Sequence, residues 1–169
     1  MAGIFAFTCT CCGKVHEGSP SFAYSAPLHY SNLSPEDRAK ATLTSDTCVI
    51  THDEQTDRFI RVVLEIPIRG AGEPFTWGVW VSLSEANFNK YVETADDPDE
   101  QASYFGWFCN RLPYYDDTSG LKTKVRPRKN GIRPYLELER SGHLLAEHLH
   151  NGLTIAQAQE IAEKAMHGG

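Results

Sequence analysis

Long apolar runs are missing from this sequence. The longest unbroken apolar stretches are only a few residues, far below the ~20 needed for a membrane-spanning helix, so no membrane partner is expected. Positive charge is also short: 16 basic residues face 22 acidic ones, a net charge of −6. That balance argues against non-specific nucleic-acid binding by the whole molecule. A secretory leader is absent too, since Met1 to Phe7 carries no basic segment and its apolar residues run at once into cysteines. A cytoplasmic location is the expectation. There is no Gly-x-Ser-x-Gly elbow, phosphate loop or dinucleotide fingerprint, and His143 and Glu147 stand at the wrong spacing for His-Glu-x-x-His. These gaps lean against an enzyme. No repeat, low-complexity tract or Gly/Ser linker divides the 169 residues. One domain is expected over 1–169, with a cysteine-containing N-terminal arm at 1–33 packed on a sheet domain.

Cysteine is sparse but clustered. Of five (Cys9, Cys11, Cys12, Cys48 and Cys109), three fall within four positions. An odd, crowded set is a poor disulfide framework and points to metal or redox chemistry in a reducing compartment. The run Cys9-x-x-Cys12-Gly13-x-x-His16 has the form of a zinc knuckle. Its amides fold around the first sulfur, and glycine after the second cysteine supplies a positive φ. A redox pair would want a helix N-terminus next, and Gly13-Lys14-Val15-His16 is not one. Cys9, Cys12, His16 and Cys48 are therefore the expected ligands of a structural zinc, with His52, Cys109 and His143 as substitutes for the fourth. Four protein ligands leave no open position for water. Three would leave one, and a zinc-dependent hydrolase is the alternative on that count.

The rest of the chain reads as α+β, a mainly antiparallel sheet with a few helices and the N-terminal knuckle. Ser34-Pro35-Glu36-Asp37 starts a helix to about Leu43. Alternation over Phe59–Ile66 and Phe75–Leu83 predicts two paired strands. Ser82-Leu83-Ser84-Glu85 has a capping-box pattern opening a helix to about Glu93. Tyr104 to Cys109 reads as an aromatic strand. Leu121–Arg126 and Ile132–Leu138 flank an Asn130-Gly131 hairpin turn, and Thr154-x-x-Gln157 caps a last helix.

Two further sites suggest themselves. Lys122, Lys124, Arg126 and Arg128 could bind phosphates or an RNA backbone, a second alternative function, although the plainer reading is the charged face of a protected strand. Trp80 beside Gly78 could floor a ligand pocket with Arg111 and Tyr114 nearby. The plainer reading is a tryptophan covered from above.

The order of the Cys9–His16 knuckle, Asp46-x-Cys48-Val49-Ile50, Phe59-Ile60-Arg61 and Trp77-Gly78-Val79-Trp80-Val81-Ser82-Leu83-Ser84 resembles a bacterial family, domain of unknown function 2199. Phe105-Gly106-Trp107, Leu121-Lys122-Thr123, Arg133-Pro134 and Asn151-Gly152-Leu153-Thr154 continue the resemblance across nearly the whole chain. It implies a single bacterial domain and brings no activity. The expectation is a zinc-stabilised binding or interaction module of unidentified partner.

Overall fold

The structure, a computed structural model, describes residues 3–168. Its strands are β1 (Ala6–Thr8), β2 (Val15–Glu17), β3 (Ser21–Ala23), β4 (Thr42–Leu43), β5 (Thr47–His52), β6 (Gln55–Ile66), β7 (Phe75–Leu83), β8 (Tyr104–Phe108), β9 (Lys122–Arg126) and β10 (Tyr135–Leu138). Its helices are α1 (Leu28–Ser31), α2 (Pro35–Ala39), α3 (Glu85–Glu93), α4 (Leu144–Asn151) and α5 (Ile155–His167). Among the described residues no helix is long and apolar enough to cross a membrane.

The two alternating stretches, β6 and β7, pair antiparallel from Arg58↔Leu83 to Ile66↔Phe75 and form the spine. From the other edge of β7 the chain meanders through β8, β9 and β10, each antiparallel to the last. Tyr135 of β10 then lies beside Val63 of β6 and closes a five-strand barrel. In a closed meander of odd strand number the first and last strands must run the same way, so this seam is parallel. The Val63 amide secures it by donating to the Pro134 carbonyl at 2.9 Å. β5 and β4 extend the sheet from β6, and β3 adds in parallel along Thr76–Gly78. The sheet is therefore mixed, and the antiparallel layout expected from the hairpins holds only in part.

Alternation sorts the side chains into two cores. Ile60, Val62, Leu64 and Ile66 of β6 join Phe75, Trp77, Val79 and Val81 of β7 inside the barrel, with Leu145, Ala158 and Ile161 from the last two helices and Leu153 from the turn between them. Phe5, Phe7 and Cys9 bring the N-terminal arm into the same cluster. On the opposite face Trp80, Phe59, Cys48, Ile50 and Cys109 form a smaller core, covered by Tyr24, Tyr30, Leu33 and Leu43.

Where helices begin and end, local signals were partly overruled. Ser34 caps α2, but the helix stops at Ala39, because Thr42 and Leu43 are drawn into pairing with Val49 and Cys48. Ser84, not Ser82, caps α3, since Ser82 is still held in β7 between Phe59 and Trp107. Asn130 and Gly131 take positive φ at the hairpin tip, yet β10 begins only at Tyr135. Pro134 has no amide to donate to the ladder. Thr154 and Gln157 form the expected reciprocal capping box on α5.

Candidate metal centre

The knuckle is the loop of the β1–β2 hairpin. Phe7 pairs with His16 across it, and the Cys9 amide donates to the Lys14 carbonyl at 2.8 Å. Gly13 takes φ 72°, which lets its amide return to the Cys9 carbonyl at 2.9 Å. This left-handed turn is easy only for glycine, and it brings Cys9, Cys12 and His16 together. Their ligand atoms all lie within 4.8 Å of one another, with His16 Nε2 3.8 Å from Cys12 Sγ.

A second element packs against this site. The face of α5 formed by Gln159, Glu163 and His167, each four residues apart, docks on the knuckle. Gln159 Nε2 donates to the Thr8 carbonyl at 3.2 Å, and Glu163 accepts from the Thr10 amide at 2.9 Å and its hydroxyl at 2.7 Å. His167 Nε2 reaches Cys9 Sγ at 3.2 Å. Cys9, Cys11 and His167 form a second close triad sharing Cys9. Cys9 is thus the hub, and the residue is 2% exposed. Burial alone would raise its thiol pKa, but amide hydrogen bonds from Cys12 and Cys11, with the Cys12 thiol and His167, bring it down to about 7. Cys11 is shifted the other way, upward, by desolvation first and by the charges of Cys9 and Glu163. Thiolate is the form that ligates metal, and the donors around Cys9 favour it there. The cluster can hold a metal ion.

The other expected ligand, Cys48, is elsewhere. It points into the smaller core with Phe59 and Trp80, fully buried, and apolar burial pushes its thiol up to about 11. It packs as a small hydrophobe. Cys109, a substitute, sits in the same core with its thiol also raised to about 11 by burial. His143 caps α4 by accepting from the Leu145 amide at 3.1 Å, and His52 pairs with Asp57 at 3.1 Å. Sequence reasoning missed His167 because nothing local links it to the knuckle. The polar Gln159–Glu163–His167 stripe was the one available signal, and on a lone helix it reads as a solvated face.

The residues proposed for a ligand pocket do not converge. The room above Gly78 is taken: an added Cβ would lie 3.0 Å from Ala23 and 3.3 Å from the Arg61 guanidinium. Trp80 is fully buried, and its indole N–H donates to the Tyr24 carbonyl at 2.9 Å. Arg111 pairs on the surface with Asp117 at 3.2 Å. Tyr114 instead contacts Glu160 of α5. The basic strip is likewise divided. Arg126 pairs with Glu137 at 3.2 Å and Arg128 with Glu65 at 2.8 Å, while Lys122 and Lys124 make no ion pair among the described residues.

No curated protein and no solved structure matches the chain. Residues 8–153 match a family described as an uncharacterised protein conserved in bacteria (DUF2199), and that match covers the knuckle, the barrel and α4. The chain, with its cysteine knuckle and five-strand barrel, belongs to that bacterial family.

Proposed function

We propose that this protein is a binding module whose fold is stapled by one zinc ion, held by Cys9, Cys12, His16 and His167. The observation carrying this reading is the placement of His167, 158 residues from Cys9 in sequence yet 3.2 Å from its sulfur. Zinc–sulfur bonds of about 2.3 Å and zinc–nitrogen bonds of about 2.0 Å, set at a tetrahedral angle, put S and N roughly 3.6 Å apart. The two S···N distances, 3.2 and 3.8 Å, bracket that value. Two thiolates and two imidazoles suit zinc among the common metals. Cys9, Cys12 and His16 form one close triad and Cys9, Cys11 and His167 the other, so binding one ion through the Cys-x-x-Cys pair requires His167 to shift toward Cys12 and His16.

Four protein donors leave no open position, which favours a structural over a hydrolytic metal. In this reading the ion ties the N-terminal arm to the last helix, so the chain works as a single domain. Five free thiols, three of them in one turn, suit a reducing compartment, and we place the protein in the cytoplasm. Elemental analysis of protein purified without added metal tests the proposal. One equivalent of zinc, lost in Cys9→Ser and in His167→Ala, supports it. Metal-free, fully folded protein overturns it.

A further inference from the structure

Three adjacent strands carry an ordered pattern on their outer face. Phe105 of β8 pairs with Lys124 of β9, which pairs with Glu137 of β10. One step along, Trp107 pairs with Lys122, whose carbonyl accepts the amide of Glu139 at 3.2 Å. The result is two rows, each aromatic, ammonium, carboxylate, about 6.8 Å apart along the strands. They border a hollow of about 480 Å³ that Thr123 and Leu138 also line. Phe105 and Trp107 are each 45% exposed, among the largest side chains so displayed. Their rings stand 5.1 Å apart at 85°, making a corner rather than a flat platform.

We infer that this hollow is a binding site for a neutral oligosaccharide. Charge balance decides the ligand class. Lys122, Lys124 and Arg126 stand against Glu137 and Glu139, with Arg126 already paired to Glu137, so the surplus is a single positive charge, too small for a polyanion whose affinity grows with the number of phosphates neutralised. A purely apolar ligand would need an enclosed apolar pocket, and this hollow is open and half polar. A sugar ring fits both halves. Its C–H face lies against an aromatic ring, while its hydroxyls accept from the lysine ammoniums and donate to the glutamate carboxylates. The corner made by Phe105 and Trp107 seats one ring against an indole face and bounds it with the other edge, which selects a soluble chain over a flat crystalline surface. Gly106 between them is required by space: an added Cβ would fall 2.6 Å from the Ser82 carbonyl, so only glycine lets β8 lie close enough to β7 to hold both aromatics in place. The site shares no residue with the metal centre and stands independently of it.

Trp107 makes the test direct. Trp77 and Trp80 are 1% and 0% exposed, so a change in indole emission on ligand addition reports Trp107. Titration of the full chain with cellohexaose, maltohexaose and chitohexaose should give a saturable blue shift or quench with at least one of them, indifferent to added salt. Trp107→Ala should lower that affinity about tenfold or more. Calorimetry on Trp107→Phe, which keeps a ring, should show most of the affinity retained. No saturable response to any of the three sugars at millimolar concentration overturns the inference. So does a response to a single-stranded oligothymidylate that outweighs the sugars and falls steeply with salt.

Discussion

At the residue scale the fold separates cysteines that look alike in the sequence. Cys9 is buried yet surrounded by donors, and Cys48 is buried among apolar groups. Replacing each should therefore have opposite signatures. Cys9→Ser should abolish zinc binding, whereas Cys48→Ala should keep a full equivalent of zinc and lower stability by about 1 kcal/mol through lost packing; metal analysis beside denaturant titration checks both. His148 offers a pH test. It is 6% exposed, and Tyr115 Oη lies 2.8 Å from its Nδ1. Burial lowers its pKa below the ordinary 6.5, against a smaller upward pull from Glu147. A depressed folded pKa means the unfolded chain takes up the proton first. Its contribution is complete above about pH 6.5 and is lost as pH falls through the folded value. His148→Gln cannot titrate, so its Tm should fall less than the wild type's on acidification. Both proteins keep the metal ligands, and the difference between the two curves isolates this group.

At the scale of elements, β8 is where packing is tightest. An alanine at position 106 would drive its Cβ to 2.6 Å from the Ser82 carbonyl and 3.1 Å from Leu83. Backbone cannot yield as a side-chain tip can, so Gly106→Ala should cost roughly 1–3 kcal/mol, read as a shift in denaturant midpoint. The opposite end of the fold rests on α5. Its start is set by Thr154, which accepts from the Gln157 amide at 3.1 Å and is itself matched by Gln157 in return. Thr154→Ala should cost about 1 kcal/mol. Because α5 presents His167 to the knuckle, the same substitution should also weaken zinc retention in a chelator competition. The local capping box was readable in the sequence, but its link to the knuckle was not.

For the whole molecule, the proposed zinc joins the β1–β2 hairpin to the end of α5, at the margin of a core centred on β6 and β7. Metal binding and local folding are coupled. Chelation should therefore strip amide-exchange protection from β1, β2 and the last turn of α5 first, leaving β6 and β7 protected; simultaneous loss everywhere would show that the barrel cannot stand without the ion.

The sequence by itself determined what short-range chemistry controls. Alternation over Phe59–Ile66 and Phe75–Leu83 predicted the barrel's spine, Thr154 and Gln157 predicted a cap, and Cys9, Cys12, Gly13 and His16 predicted a metal-binding turn. Each signal spans a few residues, and each is enforced by φ preference, strand period or a cap. What the tertiary structure decided was long-range. Closure of β10 on β6 depends on how five strands meander, and no stretch of sequence records that closure. The proposed choice of His167 over Cys48 rests on which faces α5 and β5 present once packed: α5 turns a polar stripe toward the knuckle, while β5 turns Cys48 into an apolar core. A thiol becomes a ligand only where donors surround it, and that neighbourhood is assembled by the fold.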